Sequence, residues 1–386
     1  MTTGQQVSLG GQGKVGVSQL GLHDAARRAG SVFLYIVLPA LLVTAVIGGS
    51  FGDHFAFDFH QFWQGGRDVV NGHSPYPSAG SLPAGNEESL DPLGIQHVFR
   101  FPYPAPAALA MAPFGLLPFT LAASIFLVCS FAAVFLALRL LGVSDWRCYG
   151  VVFASMPTVG ALRLGTFTPL LLLGLALVWR YRSRRVVVAG VVGCLIVAKL
   201  FLWPLLVWLL VTRRFAAAAL ALVSAVTITI GSWAVLGFAG LGEYPKLLSA
   251  LATTVQGRGW STVALGLSLG LSAATAKTVA LVLGGAALAV IPLAPREKRD
   301  LWAFSLVVAA AILLSPIVWL HYFLLLVAPL ALAYPTLSPA WFIPLGFWVW
   351  PFQETGGDIW KIGLGLAALA ALCAAVLHAP PRPRPS

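Results

Sequence analysis

Residues 179–214 read WRYRSRRVVVAGVVGCLIVAKLFLWPLLVWLLVTRR. An apolar run, Val186 to Val211, stands between two basic clusters, 180–185 and Arg213-Arg214. Lys and Arg beside membrane segments concentrate on the cytoplasmic side, so both clusters are expected there. The run between them must then enter the bilayer and come back. Each arm holds about thirteen residues, or roughly 20 Å at about 1.5 Å per residue, against a hydrocarbon core of about 30 Å. Lys199 stands near the tip of this short hairpin, with Trp203-Pro204 behind it.

The rest of the chain agrees with a membrane setting. Of 386 residues, 59% are apolar and 10% charged, which excludes an ordinary soluble domain. The net charge of +11 fits basic cytoplasmic loops rather than nucleic-acid binding. Cys129, Cys148, Cys194 and Cys373 have no paired spacing and read as packing residues.

Upstream of the hairpin, residues 1–30 are Gly/Gln/Ser-rich, end near Arg27-Arg28 and read as a flexible cytoplasmic tail. Ser31 to Ile47 is the first span, longer than a signal-peptide core and expected to stay as an anchor. The loop at 51–104 then lies outside the cytoplasm. A short apolar segment, 105–118, a full span, 120–141, and two segments near 149–163 and 166–179 lead to the basic cluster. Four full crossings from outside would leave that cluster on the wrong side. One short segment is therefore expected to be re-entrant or broken, which requires its backbone to be buried or to line a cavity.

Downstream, Ala216 to Phe238 crosses outward to a second external loop, 239–260. A segment near 272–294 returns to REKRD at 296–300, the next cytoplasmic mark. Segments near 301–314, 316–334, 339–352 and 358–378 follow, and 379–386 is a cytoplasmic tail. Trp341, Trp348 and Trp350 fit an aromatic belt. The expectation is an all-α polytopic membrane domain over 31–378, with about eleven to thirteen membrane segments counting partial ones.

The longest polar excursion is FDFHQFWQGGRDVVNGHSPYP at 57–77, a polar loop, then FRFPYPAP at 99–106. Phe59, Phe62, Trp63, Val69 and Val70 fall on one side of a helix, opposite Gln61, Gln64, Arg67 and Asp68. Such a helix would lie in the membrane interface with its aromatic face in lipid. Asn71-Gly72 ends it with a left-handed cap, and Pro75-Tyr76-Pro77 turns the chain. Asp58 opens the helix and admits two readings. With Gln61 three residues on, it resembles a capping box. Held at a membrane surface, it also suits a base that activates a hydroxyl on a lipid-bound substrate.

Ionisable groups within a membrane cost about 2.5–3.5 kcal/mol each on insertion scales, so each needs a reason. Arg163, Lys199 and His321 are the internal candidates, with Asp58, Arg100, Glu243, Lys246 and Arg258 on the external side. Lys199 has a structural alternative as a snorkelling or ion-paired side chain, and His321 as a hydrogen-bonded core residue. Glu87, Glu88 and Asp91 read as a solvated loop. No phosphate-binding loop, zinc motif or Ser-His-Asp signature is present, and no cofactor is implied. The chain also lacks the Asp-x-Asp pair typical of metal-held sugar nucleotides. A multi-pass transporter or flippase of lipid-linked sugars remains the rival reading, although the internal repetition usual in transporters is not visible.

The order of these motifs resembles glycosyltransferase family 87, the polyprenyl-phosphate-mannose-dependent mannosyltransferases with the GT-C fold. The likeness runs over about residues 50–335. It rests on Asp58 with Phe62-Trp63 and Arg67, then Gly72-x-x-Pro75-Tyr76 and Phe101-x-Tyr103-Pro104. It continues through LRLGTFTPLLLL at 162–173, the basic-flanked hairpin, and SPIVWLHY at 315–322. Tyr103-Pro104-Ala105 replaces a frequent Tyr-Pro-Pro, and Gly165-Thr166-Phe167-Thr168 a common Gly-Gln-x-Asn. The resemblance implies Asp58 as catalytic carboxylate in the first external loop, with direct displacement and inversion. It implies Lys199 and His321 at the donor phosphate, with Arg100 and Arg258 as further cations. Trp63, Tyr76, Tyr103 and Tyr322 would serve the acceptor or the interface. Donor and acceptor would be a polyprenyl-phosphate sugar and a glycolipid or polysaccharide. The setting would be a bacterial cell membrane of actinobacterial type, with membrane lipids as neighbours and no nucleic acid.

Overall fold

The computed structural model describes residues 15–49, 56–76, 101–349 and 356–379. Regular structure among them is helical throughout. Among the described residues, five helices are long and apolar enough to cross a membrane: Asp24–Gly48, Phe119–Leu140, Phe215–Val235, Ala273–Leu293 and Ile359–Leu377. Apolar side chains on both faces explain why these hold in lipid: Val128, Phe131 and Phe135 of Phe119–Leu140 point outward, while Ala133, Val134 and Ala137 are buried. The protein is therefore a polytopic helical membrane protein. The helix preceding the first span starts at Val15, so the second half of the expected flexible tail is helical. Its residues 33–37 widen into a π turn. Pro39 explains this, since its ring cannot accept the close approach of the Tyr35 carbonyl and it has no N–H to donate there. Gly150 packs directly on that carbonyl.

The hairpin is present. Arg185–Ala198 enters, Lys199 is extended at φ −149°, Leu200–Leu202 makes a 3₁₀ turn, and Pro204–Val211 returns. Its two ends meet on one carboxylate. Arg182 Nε lies 3.1 Å from Asp300 Oδ2, and the Arg214 guanidinium donates to Asp300 Oδ1 and Oδ2 at 2.9 Å each. Trp208 Nε1 adds a bond to Oδ1 at 2.9 Å. The three basic clusters of the sequence thus share one end of the bundle.

Further contacts extend that end. Ser144 N–H donates to the Pro335 carbonyl at 2.9 Å, Tyr334 Oη to the Ala375 carbonyl at 2.8 Å, and Lys298 Nζ to the Ala379 carbonyl at 2.7 Å. At the opposite end, Ala105–Gly115 starts beside Tyr103 and stops where Trp63 Nε1 donates to the Leu117 carbonyl at 3.0 Å. Both of its termini lie against the 57–70 helix, so this segment stays at one end of the bundle. Trp146–Ala154 and Met156–Leu164 lead from the basic end back to the other, broken at Ser155 before Pro157. The chain then bends by 118° into Thr168–Arg180. Gly165 at φ +67° makes the bend, with Thr166 N–H reaching the Ala161 carbonyl and Gly165 N–H the Leu162 carbonyl.

Four expectations change. The aromatic face of Phe57–Val70 lies inside the protein and not in lipid: Phe59 and Phe62 are buried against Phe126, Tyr103 and Phe167. Gly65 and Gly66 permit this, because a Cβ at either would strike Phe101 or the Met111 carbonyl. The 239–260 loop contains a helix, Tyr244–Val255, with Leu247 and Val255 on its buried side. Residues 315–319 are not helical, and Leu320–Leu326 and Pro339–Val349 are 3₁₀, with Pro316 and Pro344 breaking α-helical bonding. Trp341 is a core residue and not part of a belt: its Nε1 donates to the Tyr334 and Thr336 carbonyls, 3.1 and 3.0 Å away. Trp350 lies outside the described residues, as do the 77–100 part of the first loop and residues 380–386 of the C-terminal tail.

Candidate active site

A cavity of about 1650 Å³ opens at the end of the bundle opposite Asp300. Asp58, Tyr103, Lys199, Arg258, His321 and Tyr322 all line it. These come from five separate stretches of chain, and the folding of each explains its place.

Asp58 sits in the first turn of its helix and does not cap it. The cap position is Ala56, held at φ +51°, a left-handed conformation that costs a non-glycine residue about 1–2 kcal/mol. Ala56 N–H donates to the Arg163 carbonyl at 3.1 Å, and Gly165 packs on the Phe59 Cβ. The broken span thereby fixes where the acid helix begins. The first turn also places the carboxylate near the positive end of the helix dipole. Gln61, one turn on and buried, joins Asp58 on the cavity wall. The helix ends in a Schellman turn at Gly72, where His73 N–H reaches the Asp68 carbonyl at 2.8 Å.

Lys199 reaches the cavity because the hairpin stops short of crossing. Its Nζ lies 3.2 Å from Tyr322 Oη, 4.8 Å from the centroid of the Tyr103 ring and 5.4 Å from that of Tyr322. Two aromatic faces and a phenol oxygen thus hold the ammonium. Phe201 stacks on Tyr322 at 4.9 Å and 11°, which orients the phenol. Tyr103 is buried. Burial raises its hydroxyl well above the usual phenol range, and the negative charge of Asp58 pushes it the same way. It stays neutral between the acid and the ammonium.

His321 is 3% exposed and follows the extended stretch 315–319. That stretch is tied to the turn at 259–261: Trp260 N–H donates to the Val318 carbonyl at 2.6 Å and Ser261 Oγ to the Pro316 carbonyl at 2.9 Å. The same turn carries Arg258 to the wall.

Two of the residues selected from sequence lie elsewhere. Trp63 packs on Phe119 and lies under Arg67. Tyr76 is buried beside Trp233 and donates its hydroxyl to the Tyr103 carbonyl at 2.8 Å, so it supports the wall from behind. Arg100 falls outside the described residues. Gln61 and Asp358 line the cavity without having been selected as site residues. The signal for Gln61 was its i+3 spacing from Asp58 on one helix face.

Fold and cavity together define an integral-membrane protein with an internal cavity lined by acidic, basic and aromatic side chains. Residues 101–316 match glycosyltransferase family 87, and the chain belongs to that family. It is a membrane glycosyltransferase, with a sugar donor and an acceptor as substrates. No curated protein and no solved structure matches the chain. The matched stretch supplies Tyr103, Arg163, Lys199 and Arg258, while Asp58 and His321 reach the same cavity from either side of it.

Proposed function

We propose that the protein transfers a hexose, mannose in the favoured reading, from a polyprenyl-phosphate donor to a glycolipid or polysaccharide acceptor. Asp58 takes the proton of the acceptor hydroxyl as its oxygen bonds to the anomeric carbon. The bond from that carbon to the phosphate oxygen breaks, and the phosphate leaves with the electron pair. Lys199 and His321 offset the negative charge that grows there, with Arg258 as a further cation on the same wall. One base and one displacement invert the anomeric centre, by analogy with inverting glycosidases.

The observation that carries this reading is the meeting of Asp58 and Lys199 on one cavity, both near neutral Tyr103. A lipid-linked donor is supported by the cavity's flank. Leu200, Trp203, Val226 and Ile230 line it and are exposed, which offers an alkyl chain an apolar flank on the same cavity as Lys199. The basic end is read as cytoplasmic and the cavity end as extracytoplasmic, in a bacterial cell membrane.

Purified protein supplied with radiolabelled polyprenyl-phosphate-mannose and a panel of membrane glycolipids should yield a labelled product. From a β-linked donor that product should be α-linked; retention would rule out a single displacement. Orientation is checked by single cysteines at Ser183 and Asn86 in a cysteine-free background. An impermeant maleimide on intact cells should label position 86 and spare 183, and the reverse pattern overturns the topology.

A further inference from the structure

The cavity has a second acidic feature on the wall supplied by the last span. Gly356 and Gly357 pack on the turn at 257–259: Gly357 N–H donates to the Gly259 carbonyl at 3.2 Å, and a Cβ on Gly356 would collide with that carbonyl. Gly357 takes φ +91°, which a side chain would not tolerate without strain. Ser268 Oγ donates to the Gly357 carbonyl at 2.6 Å from the other side. This double anchorage delivers Asp358 to the cavity wall beside Arg258.

Asp358 stands at the cap position of Ile359–Leu377 yet accepts no backbone N–H there. An aspartate in that place usually satisfies its own helix. Here Oδ2 pairs instead with Lys361, one turn on, whose side chain is 6% exposed against 55% for Asp358. The buried ammonium holds the carboxylate in place, and Oδ1 has no partner among the described residues. The result is a fixed anionic acceptor facing a cavity wide enough for two substrates. A carboxylate repels a phosphate, so this wall does not suit the leaving group held near Lys199. It suits neutral hydroxyls, which donate to carboxylates in short, charge-assisted bonds.

We propose that Asp358, held by Lys361, binds hydroxyl groups of the terminal sugar of the acceptor. The proposal rests on the transferase reading above, and its test does not need the donor. Equilibrium dialysis of the purified full-length protein against radiolabelled octyl α-mannoside, below its micellar concentration, reads the site. An octyl polyether competitor subtracts binding through the alkyl chain alone.

Wild-type protein should bind the mannoside saturably, and Asp358→Asn should weaken it by about tenfold to a hundredfold, the range for losing a hydrogen bond to a charged group. Asp358→Asn also leaves Lys361 buried with one partner fewer, so its melting temperature should fall. Asp358→Asn combined with Lys361→Met removes that charge, and the double variant should regain stability while mannoside binding stays weak. Unchanged binding in both variants overturns the proposal. So does recovery of binding together with stability, which would make the pair structural only. Mannoside binding by wild-type protein that transfers nothing from polyprenyl-phosphate-mannose would sink the donor assignment and leave this subsite standing. No sugar-dependent binding by the wild type would sink the subsite itself.

Discussion

The base and the tip of the 185–211 hairpin treat charge in opposite ways. At the basic end, cations are answered by carboxylates or carbonyls. Asp300 takes Arg182 and Arg214, Lys298 meets the Ala379 carbonyl, and Asp145 holds Arg147 at 2.7 Å. The side-chain bond from Arg147 keeps the Asp145 carboxyl below its usual range. At the cavity end, Lys199 meets a phenol oxygen and two aromatic faces, with no carboxylate in ion-pair reach among the described residues. A lysine held this way can meet an incoming anion directly, whereas one paired to a carboxylate would have to break that pair first. The basic end is built to hold the hairpin together, and the tip holds Lys199 on aromatic groups.

Substitutions at the two ends should therefore separate turnover from stability. The largest loss of turnover is expected for Asp58→Asn, about 10²–10⁴-fold for removal of a general base. The helix keeps its start in this variant, because Ala56 and not Asp58 occupies the cap position. Lys199→Ala comes next, with transfer slowed by about 10²–10³ and donor binding weakened, as for the loss of one group that stabilises developing charge. Lys199→Arg should keep part of the activity, and His321→Ala should lower donor binding and turnover less than Lys199→Ala. Normal donor binding and turnover in both alanine variants would remove these residues from the phosphate site. Asp300→Ala should do the reverse. It loses bonds to two guanidinium groups and an indole, and should destabilise the protein by about 1.5–3 kcal/mol. Thermal unfolding in detergent measures this. If Asp300→Ala melted like wild type while Lys199→Ala melted far lower, the contrast between the ends would be wrong.

Much of this contrast could be read before any coordinates. Basic clusters on both sides of a run too short to cross twice define a hairpin, and they place Lys199 at its tip. The need for a partial segment before residue 180 followed from counting crossings. Which segment it was did not follow, because Ala105–Gly115 is as apolar as its neighbours. Only its contacts with Trp63 and Tyr103 show that it stays at one end. The aromatic face of the Asp58 helix was legible as a face but not as a protein interior. Lipid and a neighbouring helix demand the same side chains, and the sign of a close neighbour was the pair Gly65-Gly66. The 3₁₀ turns around His321 have the composition of a span, and Pro316 was the one local mark against a continuous helix. Asp358 was hidden for a different reason. An acid before an apolar run reads as an ordinary cap, and the i+3 lysine that takes it away from that role becomes meaningful once Lys361 is seen to be buried.

The central claim is that the Asp58 carboxylate removes the acceptor proton while the cations hold the donor. Donor binding and single-turnover transfer, measured on one well-folded preparation of Asp58→Asn, test it most directly. The variant should bind radiolabelled polyprenyl-phosphate-mannose as the wild type does and fail to pass the sugar to an acceptor on which the wild type acts. Transfer at a near-wild-type rate by the donor-loaded Asn variant would contradict the claim.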